Sequence, residues 1–125
     1  MCGVVGYVGR RDTARRLLTA LERLEYRGYD SAGICLLASG DLELIRAVGK
    51  LERLKRKVDG RGTGATTGIG HTRWATHGRV TEENAHPLMA GDHRDVAIVL
   101  NGIIENHADI RRRLLADGEC FTSQT

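Results

Sequence analysis

Two apolar runs, residues 32–38 (AGICLLA) and 42–48 (LELIRAV), flank the tripeptide Ser39-Gly40-Asp41. Short β-prone runs joined by a glycine-containing turn read as an antiparallel hairpin. That hairpin argues against a purely parallel sheet, whose successive strands need long crossovers. The elements around it alternate in type. Val4, Val5, Tyr7 and Val8, set among glycines, predict a first, buried strand. Asp12 or Thr13 is placed to cap a helix in which Leu17, Leu18, Leu21 and Leu24 recur at helical spacing, ending near Gly28. A short helix carries Leu51, Leu54 and Val58 on one face, with Gly60 beyond its end. A second hairpin-like region begins at Gly68-Ile69-Gly70-His71 and resumes at Val96-Ala97-Ile98-Val99-Leu100. Residues 106–117 predict a helix with Ile110, Leu114 and Leu115 inward, and Glu119-Cys120-Phe121 start another strand. The order β-α-β-β-α-β-β-α-β predicts an α+β layered domain.

Composition narrows the function classes. A chain of 125 residues, 41% hydrophobic and 28% charged, fits one globular domain or a piece of a larger one. It has no apolar stretch of the roughly 18 residues that a membrane helix needs. Arg10, Arg11, Asp12, Arg15 and Arg16 interrupt any signal-type core, so a cytoplasmic protein without a membrane partner is expected. Cys2, Cys35 and Cys120 are odd in number and widely spaced, which makes neither a disulfide framework nor a zinc site; Cys35 and Cys120 read as core positions in strands. His71, His77, His86, His93 and His107 show no HExxH-type spacing, so neither metal nor cofactor is expected. The net charge is only +3, and the basic runs Arg53–Lys57 and Arg111–Arg113 lack interleaved aromatics. No nucleic-acid partner is expected, although a basic binding module is the alternative from a different class. The stretch from Arg73 to Asp95 has little apolar periodicity and holds Trp74, Thr76, His77, Asn84, His86 and Pro87; a loop this long inside a compact domain is often functional.

Cys2 follows only an initiator methionine. Removal of Met1 would put a thiol and a free α-amino group on one residue, the pairing in which an N-terminal nucleophile is activated by its own amine. The competing reading is a small buried residue in a first strand.

Four segments read together sharpen this: Cys2-Gly3-Val4-Val5-Gly6, Tyr26-Arg27-Gly28-Tyr29-Asp30-Ser31-Ala32-Gly33, His71-Thr72-Arg73-Trp74-Ala75-Thr76-His77-Gly78, and Asn101-Gly102-Ile103-Ile104-Glu105-Asn106. With Asn84-Ala85-His86-Pro87, they resemble, in order and over essentially the whole chain, the glutaminase domain of the glutamine–fructose-6-phosphate aminotransferase (isomerizing) family. The resemblance implies an N-terminal nucleophile hydrolase fold, a four-layer αββα sandwich of mostly antiparallel sheets. It implies a class II glutamine amidotransferase that releases ammonia from glutamine at Cys2. The ammonia would pass to a separate isomerase domain that binds fructose 6-phosphate, in a homo-oligomeric whole enzyme. The same resemblance makes Asn101, through its side-chain amide, and Gly102, through its N–H, the oxyanion donors. Alone, Asn-Gly reads as a type I′ hairpin turn. Arg73 is implied as the clamp on glutamine's α-carboxylate, to which a guanidinium fork is matched. Thr76 and His77 are implied as further substrate contacts, Trp74 as the residue at the mouth of the ammonia route, and Arg27 and Gly28 as residues holding the N-terminus. Packing and turn roles compete for each.

Residues 1–125 are therefore expected to form the N-terminal part of a glutaminase domain. The family motif that begins here as Ser123-Gln124-Thr125 normally continues with an aspartate that binds the substrate's α-amino group. The nearest alternative is the glutaminase domain of another class II amidotransferase, of the amidophosphoribosyltransferase or asparagine synthetase type.

Overall fold

The computed structural model describes residues 1–91 and 93–125. In chain order the elements are β1 (Gly3–Val8), α1 (Thr13–Glu22), a 3-10 turn (Glu25–Arg27), β2 (Ser31–Ala38), β3 (Asp41–Val48), α2 (Leu51–Val58), β4 (Thr67–Arg73), β5 (Leu88–Ala90), β6 (Val96–Ile98) and α3 (His107–Ala116). The first four strands form one antiparallel sheet in the order β1-β4-β2-β3. The predicted hairpin is its β2–β3 edge. Ser39 and Gly40 both have left-handed backbones (φ 54° and 94°), the conformation of a two-residue type I′ turn, and Ala38 pairs with Asp41 on either side.

One face of this sheet carries the apolar core. Alternate residues of β2 (Ala32, Ile34, Leu36) and β3 (Ile45, Ala47) meet Leu17 and Leu21 of α1 and Leu51, Leu54 and Val58 of α2, with Val5 and Tyr7 of β1 packed alongside. Each fully buried Leu or Ile stabilises the fold by about 1.5–3 kcal/mol relative to exposure. On β4 the helix-facing positions are Gly68 and Gly70. A Cβ at Gly68 would sit 2.8 Å from Leu17 Cδ1 and 2.9 Å from the Cys35 carbonyl oxygen, so α1 lies against the strand's bare backbone. The two helices are joined at their solvent edge by Lys55–Glu22 at 2.8 Å, and Glu25 caps α2 by accepting from Leu51 N–H at 2.9 Å. Asp12 precedes α1 as expected but in a left-handed conformation (φ 56°) without a side-chain cap; the Thr13 hydroxyl instead donates to the Ala65 carbonyl at 2.6 Å. The helical spacing that includes Leu24 breaks after Glu22, and the 3-10 turn carries the chain on to Gly28.

The opposite face is covered by the segment leading into β5. A Cβ at Gly33 would lie 2.4 Å from the His86 carbonyl oxygen, and Cys35 Sγ is 3.9 Å from Met89 Sδ. The small β5–β6 sheet thus sits on the side of the first sheet away from α1 and α2. Four sequence expectations are corrected here. β1 is not buried: it is an edge strand of the sheet, with Val4 45% and Val8 81% exposed and only Val5 and Tyr7 turned toward the core. β4 does not form a hairpin with residues 96–100: it lies between β1 and β2, while β6 pairs with β5, which itself falls inside the stretch read as a loop. Residues 119–121 form no strand, and Cys120 is exposed, whereas Cys35 is buried in β2 as expected. Ile110 and Leu114 of α3 are only half-buried and Leu115 is 50% exposed, so this helix has no buried apolar face among the described residues. No helix of the described residues is long and apolar enough to cross a membrane.

The bare β4 surface yields a paired test. Gly68→Val should lower unfolding stability by about 1–3 kcal/mol through overpacking. Gly6→Val, on the same sheet but with nothing among the described residues within 4 Å of its added Cβ, should stay within about 0.5 kcal/mol. Urea unfolding of both variants checks this, and equal effects would contradict the close approach of α1.

Candidate active site

The start of β1 is placed by register. Gly3 pairs with Thr72, and its N–H donates to Thr72 Oγ1 at 3.2 Å. Gly3 points to the helix side, where a Cβ would lie 2.8 Å from Leu24 Cβ and 2.7 Å from Thr72 Oγ1, so no side chain fits there. Alternation along the strand turns Cys2 to the opposite face, next to Arg73. Cys2 is half-buried, with its sulfur 3.4 Å from Trp74 N and 3.7 Å from the Trp74 carbonyl oxygen. Asn101, distant in sequence, donates from Nδ2 to the Cys2 carbonyl at 3.2 Å. Met1 is 75% exposed, and its Sδ accepts from Arg27 Nη2 at 3.8 Å.

The segment before β2 supports this corner. Gly28 backs directly onto the Arg73–Trp74 peptide: a Cβ there would lie 2.7 Å from Arg73 C and 2.8 Å from Trp74 N. Trp74 is 43% exposed and meets Tyr29 edge-on, with ring centroids 5.7 Å apart. Asp30, in the same Tyr26–Gly33 segment as Arg27 and Gly28, accepts from Ala75 N–H at 2.8 Å.

Arg73 is only 5% exposed. Its guanidinium donates to the carbonyls of Arg79 (3.0 Å), Gly78 (3.4 Å) and His77. Those bonds shape the loop after β4 and, among the described residues, leave Nε–H and one Nη1–H uncommitted. Thr76 and His77 are exposed on that loop, and the His77 ring meets His107 of α3 at 5.4 Å. Asn84 closes it from below, donating to the Arg79 carbonyl and to Gln124 Oε1, both at 3.0 Å, and accepting from Gln124 N–H at 2.7 Å. The sequence places Asn84 in the Arg73–Asp95 stretch and in the Asn84–Pro87 motif but gives it no role; its pairing with Gln124 spans forty positions and has no local signal.

Asn101 and Gly102 are not a type I′ turn. That turn needs positive φ at both central residues, and neither has it. The structure brings Asn101 to Cys2 but joins Gly102 to Cys2 by no hydrogen bond among the described residues. Cys2, Arg73, Trp74, Arg27, Gly28 and Asn101 therefore gather at one corner, with Thr76 and His77 at its rim.

Beneath the corner, on the same sheet face as Arg73, the ring of His71 stacks on His86 at 4.7 Å. His71 is 1% exposed, and among the described residues neither ring nitrogen has a hydrogen-bond partner. Burial, then the neighbouring His86 and Arg73, push its pKa down to about 4. Burial also lowers His86, with Arg73 and Arg46 adding to the shift. Burial lowers Arg73 as well, while Cys2 and Asp30 act in the opposite direction. The basic runs are largely committed elsewhere: Lys55 to Glu22, Arg56 to Glu52, Lys57 to Glu82, Arg112 to Asp109, and Arg111 over the Phe121 ring at 4.2 Å. That pairing weakens the case for a polyanion-binding surface.

The architecture, among the described residues, is an α+β fold of antiparallel sheets and three α-helices that solved amidotransferase structures share. It superposes on glutamine phosphoribosylpyrophosphate (PRPP) amidotransferase from B. subtilis, complexed with ADP and GMP, with a TM-score of 0.81 at 24% identity over 97% of this chain and 26% of that one. A solved structure described as the allosteric regulatory enzyme of purine biosynthesis matches with a TM-score of 0.83, also at 24% identity and with the same coverage. Residues 38–125 match the family model described as the glutamine amidotransferase domain, and the chain belongs to that family. It is 54% identical over its whole length to a glutamine–fructose-6-phosphate aminotransferase [isomerizing] of Thermosynechococcus vestitus. Identity is 50% to the protein of that name from Synechocystis sp. and 55% to that of Gluconobacter oxydans. The chain spans 20% of the length of each of these curated relatives.

The buried histidine pair makes stability depend on pH. The unfolded chain takes up a proton on His71 near pH 6.5, whereas the folded protein resists it until about pH 4. Stability is therefore full above pH 6.5 and falls as the pH drops toward 4, by about 3 kcal/mol from His71 alone. His71→Phe should flatten that slope and leave neutral-pH stability within about 1 kcal/mol or raise it, because two unpartnered buried nitrogens are removed. Denaturant unfolding at pH 7.5 and 4.5 checks both expectations.

Proposed function

We propose that residues 1–125 form the N-terminal part of the glutaminase domain of a glutamine–fructose-6-phosphate aminotransferase (isomerizing). The observation that carries this reading is identity of 50–55% along the whole chain to enzymes of that name, against 24% to the PRPP amidotransferase chain. In this reading Cys2, freed of Met1, is the nucleophile. Its α-amino group accepts the thiol proton, and the sulfur attacks the side-chain amide carbon of glutamine. The C–N bond breaks as the nitrogen takes up a proton and leaves as ammonia, giving a thioester. Water then adds to the thioester carbon, the C–S bond breaks, glutamate departs and the thiol regains its proton.

Asn101 and Gly102 would donate to the oxyanion that forms at each addition. The approach of Asn101 Nδ2 to Cys2 at 3.2 Å supports the first of these roles. Arg73 would bind the substrate's α-carboxylate through the donors its loop leaves uncommitted, with Thr76 and His77 at the rim of the substrate pocket. Arg27 and Gly28 would hold the N-terminus, and Trp74, exposed beside the sulfur, would stand where ammonia leaves. The ammonia passes to an isomerase domain that converts fructose 6-phosphate to glucosamine 6-phosphate. A reaction between a free amino acid and a sugar phosphate places the enzyme, within the same proposal, in the cytoplasm.

Intact-mass analysis should show loss of Met1, and a glutamine-analogue diazo-ketone should label Cys2. Asn101→Ala should lower kcat for glutamine hydrolysis by about 100- to 1,000-fold, the usual cost of one oxyanion donor. Full activity with Met1 retained would rule out the amine as proton acceptor. Failure of the full-length protein to form glucosamine 6-phosphate from glutamine and fructose 6-phosphate would overturn the assignment.

A further inference from the structure

Two successive peptide units at the end of β4 each hold the Cys2 sulfur at one end and Asp30 at the other. In the Arg73–Trp74 peptide, the Trp74 N–H points at Cys2 Sγ (3.4 Å), and the Arg73 carbonyl accepts from the Asp30 N–H (3.1 Å). In the Trp74–Ala75 peptide, the Trp74 carbonyl faces Cys2 Sγ (3.7 Å), and the Ala75 N–H donates to Asp30 Oδ2 (2.8 Å). Asp30 is itself anchored: its carbonyl accepts from Gly49 N–H at 2.8 Å, and β2 begins at the next residue. Ala75 lies beyond the last residue of β4, so no ladder bond fixes its peptide. The carboxylate supplies that bond instead, and a bond from N–H to a carboxylate is stronger than one between neutral groups.

We propose that Asp30 is a positioning residue for the Cys2 nucleophile. It holds both Trp74 peptide planes, so that the Trp74 carbonyl takes the S–H of the resting thiol and the Trp74 N–H donates to the sulfur once the proton has left. The same rigid pair of peptides then serves the sulfur in both states. Asp30 does not touch the sulfur or the substrate; it acts through the backbone between them. Rotation of the Trp74–Ala75 peptide would swing the carbonyl away from the sulfur and, through the Trp74 dihedrals, disturb the N–H before it. Its consequence for turnover rests on the glutaminase reading, whereas its effect on the Cys2 thiol does not.

The test compares Asp30→Ala, which removes the acceptor for Ala75 N–H, with Asp30→Asn, which keeps an acceptor oxygen and removes the charge. In the full-length protein, Asp30→Ala should lower kcat for glutamine hydrolysis by about 10- to 100-fold, the scale of a small misplacement of a reacting group, with KM changed less than about threefold. The rate of Cys2 alkylation by iodoacetamide should fall in the same variant, and Asp30→Asn should recover both rates to within about threefold of the parent. Asp30→Asn as impaired as Asp30→Ala would show that charge, and not the held peptide, is what matters, and would overturn the proposal. So would Asp30→Ala with parental kcat and alkylation rate, and so would Asp30→Asn slowed more than about tenfold, whatever the alanine variant does. A parent protein that alkylates at Cys2 but does not hydrolyse glutamine would defeat the glutaminase reading while leaving the alkylation comparison to decide the role of Asp30.

Discussion

The antiparallel pairing of β1 with β4 is the constraint on which the site depends. It sets Gly3 opposite Thr72 and so brings Cys2 alongside Arg73 and Trp74, some seventy positions later in the chain. Side chains alternate faces along a strand, so a slip of one residue would send the sulfur to the helix side. Gly3 resists that slip. The space on its helix side is filled by Leu24 and by the Thr72 hydroxyl, and only a residue without a side chain fits there. The Cys2 sulfur is thus aimed by the absence of an atom one residue away.

The two faces of the sheet divide aliphatic packing from buried polar groups. Toward α1 and α2 the contacts are aliphatic and closely packed, with Gly68 and Gly70 letting α1 approach the strand. Toward β5 the buried residues include His71, Arg73 and Ser31, and among the described residues both His71 ring nitrogens and the Ser31 hydroxyl have no hydrogen-bond partner. Such burial costs stability, since an unsatisfied polar group loses its hydration without a replacement. The aliphatic face offsets that cost and lets the polar face keep its arrangement. Arg73 shows how closely structure and site are joined: the side chain expected to meet a substrate also holds three carbonyls of the loop beside it.

The elements whose signals are local were legible in the sequence. The β2–β3 hairpin declared itself through two apolar runs and a Ser-Gly turn, and α1 and α2 through leucines at helical spacing. Where partners are distant, sequence reasoning paired the wrong segments. Residues 68–71 and 96–100 have the same apolar character, and periodicity cannot say that the first belongs between β1 and β2 while the second pairs with β5. The apolar stripe of α3 and the run Glu119–Phe121 have the composition of buried elements, yet neither finds a packing face among the described residues.

What the sequence determined by itself is the set of groups with reactive or polar chemistry: a cysteine at position 2, the Arg73–His77 run, and the Asn101-Gly102 pair. Their residue types and order sufficed for an expectation of class, because chemistry resides in side chains. Tertiary structure decided which of them meet. It placed Asn101 on Cys2, committed Arg73 to its own loop, and gave Asp30 a grip on both sides of Trp74. Those contacts run between backbone and side-chain atoms far apart in the chain, set by strand register and not by any local pattern of residues, and no spacing in the sequence could have announced them.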